Sequence, residues 1–286
     1  MDSSFNRIAD IKRLYTEKLV TVYSPAEILI FFRQAAEKIS GFSMIHLHLN
    51  DQDLLPELDI QKYKEILNRL VNREPMQYIL GYTWFMDLKI EVNSSVLIPR
   101  PETEELVNGF LERIKISNPT VLDACSGSGC ISLAVNHYLP DSIVFGVEIS
   151  NEAIHVAKCN AEKLNLHVEY IQADILKSDL EMLPDLDAIL SNPPYIPKEE
   201  IKLMDETVTK FEPEIALFVN DSKPLVFYKR LIYLGLKKLK PNGLLLMECH
   251  HKQLDAVAKL CNQEGYSSIE QHVDLSGNPR WIIACR

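Results

Sequence analysis

The stretch that most constrains the fold is an apolar run over residues 186–190 that ends in Ser191-Asn192-Pro193-Pro194-Tyr195-Ile196. The run reads as a buried strand. It cannot continue pairing past Asn192, because neither proline has an N–H to give to a sheet ladder. The chain therefore leaves the sheet at a fixed place. An amide side chain (Asn192), a proline carbonyl (Pro193) and an aromatic ring (Tyr195) are gathered at a strand's carboxyl end. In open α/β sheets, that is where ligands bind.

A corner of this kind suits methylation of a planar nitrogen. An amide or aromatic amine delocalises its lone pair into a π-system and is a poor nucleophile. Two acceptors that hold its N–H groups leave the lone-pair face turned toward a methyl donor. The Asn192 side-chain oxygen and the Pro193 backbone oxygen can be those acceptors, and the Tyr195 ring can pack on the flat group. Positioning of this sort removes roughly 7–11 kcal/mol of barrier in favourable cases. The same residues also fit a plain turn, since Asn-Pro is a common turn starter.

Three earlier strand ends raise the weight of the corner. Residues 120–125 form a short apolar run, followed by the tight turn Ser126-Gly127-Ser128-Gly129 and a helix over 130–138. Small residues there let backbone N–H groups and a helix amino terminus approach an anion such as a carboxylate. A dinucleotide-binding loop would carry a third glycine where this chain has Ser132, which disfavours a nicotinamide oxidoreductase. The run 143–147 ends at Glu148, an acid placed to accept two ribose hydroxyls. A helix over 151–164 follows. The run 168–172 ends at Ala173-Asp174-Ile175, where a carboxylate can accept from an adenine amino group and the next side chain can pack on the ring. One such acid alone is an ordinary solvated strand end; the regular series is the signal.

Around this centre the chain divides into three parts. Residues 1–74 carry helical periodicity, with Ser24-Pro25-Ala26-Glu27 as a capping-box start, and read as a helical bundle for substrate recognition. Residues 75–98 alternate with period two, predicting a β-hairpin linker. Residues 99–286 form the α/β domain. It opens on the stiff Pro99-Arg100-Pro101 turn, where Arg100 is either a functional cation or half of a domain-bridging ion pair, and a helix follows through Phe110. Residues 198–220 are polar and acidic and read as a substrate-side loop. A helix over 224–239, a strand over 243–247 and a helix over 253–264 come next. Two strands, 267–273 and 280–284, flank Ser276-Gly277-Asn278-Pro279 and close the sheet as an antiparallel pair.

Charge and cysteine usage narrow the function classes. The net charge is −10, with 20 basic against 29 acidic side chains in residues 81–286. That argues against broad duplex-DNA binding, which needs clustered Lys and Arg. The polar amino terminus predicts no signal peptide, and the longest apolar runs are far short of a membrane span. Six scattered cysteines without a C-x-x-C pair point to a reduced, cytoplasmic protein. Cys125 and Cys130 read as small packing residues. Adjacent residues on a strand end point apart, so Cys249-His250-His251 is not expected to bind metal.

Residues 99–286 resemble the class I methyltransferases, and the whole chain resembles the HemK/PrmC family of peptide chain release factor glutamine-N5 methyltransferases. The motifs that carry the resemblance are Glu74-Pro75-Met76-Gln77-Tyr78-Ile79-Leu80-Gly81, residues 97–104, the loop 123–129 and Asn192-Pro193-Pro194-Tyr195, with Glu212-Pro213 and Ala216-Leu217 as a weaker match. The resemblance implies a seven-stranded, mostly parallel sheet with helices on both faces and a reversed last strand. It implies S-adenosyl-L-methionine as methyl donor and S-adenosyl-L-homocysteine as product. The methionine part would lie on Cys125, Ser126, Gly127, Ser128 and Gly129, the ribose on Glu148 and the adenine on Asp174 and Ile175, with Asn192 also touching the cofactor. Asn192, Pro193, Pro194 and Tyr195 would hold the substrate glutamine of a release-factor Gly-Gly-Gln motif, and the amino-terminal helices would contact the release factor. Cys125 stands where the family's loop has its first glycine, and Glu148 where an aspartate is common. Two alternatives stay open: a glutamine methyltransferase acting on a ribosomal protein, and an adenine-N6 nucleic-acid methyltransferase.

Overall fold

The computed structural model describes residues 6–286; the first five residues of the expected helical segment, which also begin the polar start read for signal peptides, lie outside the described residues. Two compact units emerge. One comprises the described chain up to Gly81 together with Glu206–Phe211, the other Tyr82–Asp205 with Glu212–Arg286.

The first unit contains α1 (Ile8–Leu19), α2 (Pro25–Ser40), α3 (Met44–Leu49), α4 (Glu57–Val71) and α5 (Met76–Leu80). The capping box is present at α2: the Glu27 N–H donates to Ser24 Oγ at 3.3 Å, and the Ser24 N–H donates to the Glu27 carboxylate at 2.8 Å. Gly41 ends the helix at φ +68°. Residues three and four apart, Ile11, Tyr15 and Leu19 on α1 and Tyr63, Leu67 and Leu70 on α4, are buried together with Phe32 of α2. Each such side chain contributes about 1.5–3 kcal/mol by leaving water. The Tyr15 hydroxyl donates to the Tyr63 carbonyl oxygen at 2.8 Å, and the Tyr63 hydroxyl lies 3.3 Å from Ser40 Oγ, so both buried hydroxyls of this layer are satisfied.

Residues 76–80 correct the period-two reading. They form a short helix, because Pro75 sits at its N-cap with no N–H to lose and Gly81, at φ +80°, ends it by donating to the Gln77 carbonyl oxygen. The hairpin starts after that glycine, with β1 (Tyr82–Phe85) paired to β2 (Leu88–Glu91).

The second unit continues with α6 (Pro101–Arg113), β3 (Thr120–Ala124), α7 (Cys130–Tyr138), β4 (Ile143–Glu148), α8 (Asn151–Leu164), β5 (Val168–Gln172) and β6 (Leu186–Ser191). After the proline corner come β7 (Ile196–Pro197), a 3₁₀ turn (Lys198–Leu203), α9 (Glu206–Phe211), α10 (Glu214–Leu217) and β8 (Phe218–Val219). The chain ends with α11 (Val226–Lys238), β9 (Leu239–Glu248), α12 (Leu254–Gln263), β10 (Ser268–Val273) and β11 (Pro279–Cys285). Residues 198–220 are thus not a plain loop. They hold two short helices, and β7 pairs in parallel with β8. Of these, α9 belongs to the first unit, where Lys210 Nζ donates to the Asn72 carbonyl oxygen.

Among the described residues the main sheet has seven strands in the order β10-β11-β9-β6-β3-β4-β5, parallel except for β11, which runs antiparallel to both of its neighbours. On one face Leu122, Ile189, Leu245 and Ile282 pack with Leu231 of α11 and Val257 of α12. Trp281, adjacent to Ile282, points to the other face and lies against Gly109 of α6, where any Cβ would meet its ring at 2.3 Å. Helices therefore cover both faces, as expected of a mainly parallel sheet. The strand order reverses between β3 and β6, where Ala124 stands opposite Ser191. No helix among the described residues is long and apolar enough to cross a membrane.

Candidate active site

The reversal point of the sheet is where a crevice opens in this class of fold. Ser191 Oγ donates to the Ala124 carbonyl oxygen at 2.6 Å, tying the two central strand ends together. The loop after β3 and the corner after β6 are therefore neighbours. A cavity within the second unit is lined by Cys125, Ser126, Gly127 and Ser128 from the first and by Asn192 and Pro194 from the second. Glu148 from the end of β4 and Asp174 and Ile175 from beyond β5 line it as well, with Leu97, Pro99, Thr103, Ile215 and Phe227. Gly129, Pro193 and Tyr195 are not among its lining residues.

The loop is held from behind. The N–H groups of Cys125 and Ser126 both donate to the Val147 carbonyl oxygen, at 2.9 and 3.1 Å. Cys125 has φ +65°, so the residue at the family's first glycine position adopts the left-handed backbone that glycine favours, at about 1–2 kcal/mol of strain. Gly129 caps α7 at φ +81°, and a Cβ there would meet Tyr170 Oη at 2.3 Å. Asp123 is fully buried beneath the turn and accepts from the Ser132 N–H at 3.0 Å. Its Oδ1 has no hydrogen-bond partner among the described residues, and burial pushes its pKa up to about 7.

The two strand-end acids differ in their partners: Glu148 is held by backbone N–H groups, Asp174 chiefly by a lysine. Glu148 Oε1 accepts from the N–H groups of Ile149 and Ser150 at 2.8 and 3.0 Å, and Oε2 from the Gly127 N–H at 3.0 Å. A carboxylate oxygen can accept more than one hydrogen bond, so Oε2 retains capacity toward the cavity. Asp174 is held below the usual carboxylate range, first by Lys177 at 2.8 Å and also by the Leu176 N–H.

Ser128 tests whether this cavity suits a polar ligand. Ser128 lines the cavity, and its buried hydroxyl has no hydrogen-bond partner among the described residues. Leaving a buried hydroxyl unpaired costs about 1–3 kcal/mol, which a ligand with polar atoms would recover. Together with an acid at each of two strand ends and an open Gly127, where a Cβ would meet nothing within 4 Å, the donor and acceptor set fits the amino acid and nucleoside parts of S-adenosyl-L-methionine.

At the proline corner, Asn192 Nδ2 donates to Thr103 Oγ1 at 3.0 Å. Its side-chain oxygen and the Pro193 carbonyl oxygen accept no hydrogen bond among the described residues. Tyr195 donates its hydroxyl to Glu248 Oε1 at 2.9 Å and packs against the core. Arg100 pairs with the buried Glu212, which also accepts from the Ile98 N–H at 3.0 Å. That partner lies in the same unit, so the ion pair does not bridge the two.

Two corner residues escaped the sequence reading. Thr103 was visible only as a helix start, and its partners lie 89 and 145 positions away. Glu248 carried a readable sign: it ends an apolar strand, as Glu148 does. The neighbouring histidines also differ from expectation. The chain turns as it leaves β9, so the His250 and His251 rings lie 4.4 Å apart rather than diverging, and His250 Nε2 meets Glu200 at 3.1 Å.

Comparison with known proteins shows what the chain as a whole is similar to. The Methyltransferase small domain model matches residues 102–212 and the PrmC N-terminal domain model residues 26–81. The chain is 32% identical to a release factor glutamine methyltransferase of Flavobacterium psychrophilum over 96% of its own length and 98% of the relative's. It is 38% identical to the protein of that name from Clostridium acetobutylicum, covering 85% of this chain and 86% of that one. A solved methyltransferase from Pyrococcus furiosus superposes with a TM-score of 0.53 at 16% identity, over 79% of this chain and 98% of that one. That last likeness speaks for the fold alone.

Proposed function

The chain belongs to the release factor glutamine methyltransferase family, and from that premise we propose how its residues carry the reaction. The enzyme transfers a methyl group to the side-chain amide nitrogen of the glutamine in the Gly-Gly-Gln motif of peptide chain release factors. When bound, S-adenosyl-L-methionine supplies a methyl group made electrophilic by its sulfonium sulfur. Cys125, Ser126, Gly127, Ser128 and Gly129 would hold its methionine part, Glu148 its ribose, and Asp174 with Ile175 its adenine. The helices preceding Gly81 would contact the release factor.

Asn192 and Pro193 do the positioning. Their two unpartnered oxygens accept the two N–H groups of the glutamine amide, which turns the nitrogen lone pair out of the amide plane's hydrogen bonds and toward the cavity. The Pro193-Pro194 pair fixes the backbone from which one acceptor projects. No base is needed before transfer, because an N–H already on the nitrogen becomes acidic only as the new N–C bond forms and the S–C bond breaks, and that proton passes to water afterwards. Asp174 is engaged by Lys177 and Tyr195 by Glu248, so neither is assigned that role.

The observation that carries this reading is the junction of Ala124 and Ser191, which brings the loop after β3 beside the proline corner that carries the two free acceptors, with Asn192 lining the same crevice as the loop. Incubation with labelled S-adenosyl-L-methionine and purified release factor tests it. Label is expected on the intact protein and none on a variant lacking the Gly-Gly-Gln glutamine. Equal labelling of both, or labelling of a ribosomal protein or an oligonucleotide in their place, contradicts it.

A further inference from the structure

The corner is wired to a buried acid on the far side of β6. Glu248, at the end of β9, is 1% exposed. Its Oε2 accepts from the Thr103 hydroxyl at 2.6 Å, and Thr103 Oγ1 in turn accepts from Asn192 Nδ2 at 3.0 Å. Its Oε1 accepts from the Tyr195 hydroxyl at 2.9 Å. One carboxylate thus anchors both ends of the Asn192-to-Tyr195 segment, through donors that come from α6 and from the corner itself.

The direction of these bonds matters more than their number. A side-chain amide is nearly symmetric in shape, and a half-turn exchanges its oxygen for its NH₂ group. Glu248 accepts at both oxygens, from the Thr103 hydroxyl at Oε2 and from the Tyr195 hydroxyl at Oε1. It commits the single Thr103 proton to itself and leaves Thr103 Oγ1 with acceptor capacity alone. Only the NH₂ group of Asn192 can satisfy that oxygen, so the Asn192 oxygen must face the cavity. A glutamine at 248 would suit the same hydroxyls without this one-way constraint. Burial raises the Glu248 pKa, while the two hydroxyl donors and the Arg280 charge act in the opposite direction.

We propose that Glu248 and Thr103 are positioning residues, which fix the Asn192 amide in the orientation that presents its oxygen to the substrate amide. This rests on the assignment of Asn192 as an acceptor for the glutamine N–H group. Inverted, the same side chain would offer a donor to a donor, and the substrate nitrogen would lose one of its two fixed points.

The test is a double-mutant cycle on the full chain, with intact release factor as substrate and binding of S-adenosyl-L-homocysteine measured in parallel. Thr103→Val keeps the shape of the side chain and removes the hydroxyl. It is expected to lower kcat by about 10- to 100-fold, the scale of a small misplacement of reacting groups, with homocysteine-product affinity within about 3-fold of wild type. Thr103→Ser restores the hydroxyl and should restore the rate. In an Asn192→Ala background, Thr103→Val should change kcat less than about 2-fold, because residues acting as one unit are not additive. Should Thr103→Val prove unstable, Glu248→Gln provides the second arm, with the same fall in kcat and the same silence in the Asn192→Ala background. Losses that multiply in that background, or a Thr103→Ser variant as slow as Thr103→Val, overturn the proposal. If Asn192→Ala itself turns over at the wild-type rate, the acceptor role of Asn192 fails first, and that outcome is read separately.

Discussion

Alanine at Gly129 and alanine at Gly127 are expected to fail in different ways, although the two glycines share one turn. At Gly129, φ is +81°, and the new methyl would lie 2.3 Å from Tyr170 Oη and 3.2 Å from Ala157 Cβ. Tyr170 has little room to retreat, being buried with its hydroxyl 3.2 Å from Ser132 Oγ. Backbone strain of about 1–2 kcal/mol and overpacking of about 1–3 kcal/mol then add. A loss near 3 kcal/mol corresponds to a fall in Tm of roughly 6–12 °C for a domain of this size. At Gly127, φ is +52° and no atom lies within 4 Å of the new methyl. Only the strain remains, about 1 kcal/mol, but the methyl enters a cavity-lining position. Gly127→Ala should therefore melt within about 2–4 °C of wild type and bind S-adenosyl-L-homocysteine at least about 10-fold more weakly, since glycine there serves close backbone approach to a ligand. Scanning calorimetry and titration calorimetry read the two quantities. A Gly127→Ala protein that melts as early as Gly129→Ala, or that binds the product like wild type, would refute the division of roles.

Three further outcomes follow from the same geometry. Arg100→Ala leaves the buried Glu212 carboxylate without its counter-charge and should lower stability by about 3 kcal/mol, with Glu212→Gln recovering part of the loss when added; a double variant no more stable than Arg100→Ala in urea unfolding would count against the pairing. Ser128→Ala removes an unpaired buried hydroxyl, so the ligand-free protein should be no less stable, while product affinity falls by about 0.5–1.5 kcal/mol in titration calorimetry; unchanged affinity would remove Ser128 from the binding set. Asp123 keeps its proton in the native state up to about pH 7, whereas the unfolded chain releases it near the ordinary value of 3.8. The native state therefore binds more protons between those limits, and stability falls as pH rises through them; Asp123→Asn should flatten that slope, and an unaltered pH profile of Tm would show that the group does not titrate there.

Local signals were legible where local chemistry decides. Ser24, Pro25 and Gly41 bound α2 because caps act within a few residues; β3 was readable as a short run before a glycine turn, and β4, β5 and β6 as runs ending in polar residues. The proline corner stood out because two prolines forbid pairing whatever surrounds them. Residues 76–80 misled because a short apolar run has no reliable period, and there Pro75 and Gly81 were the deciding residues. The helices inside 198–220 were missed for the opposite reason: α9 and α10 are six and four residues long, and tertiary packing rather than periodicity stabilises such short pieces. The Cys125 backbone angle and the chain from Glu248 through Thr103 to Asn192 were beyond reach, since both depend on partners brought together only by strand order.

The account turns on where the glutamine amide sits. A crystal structure of the full chain with S-adenosyl-L-homocysteine and a release factor bearing an intact Gly-Gly-Gln motif measures this directly. The account predicts the amide nitrogen within hydrogen-bonding distance, about 2.7–3.2 Å, of both Asn192 Oδ1 and the Pro193 carbonyl oxygen, with the product in the cavity lined by Ser128 and Glu148. An amide held elsewhere, or an Asn192 that turns its NH₂ group to the substrate, would contradict it.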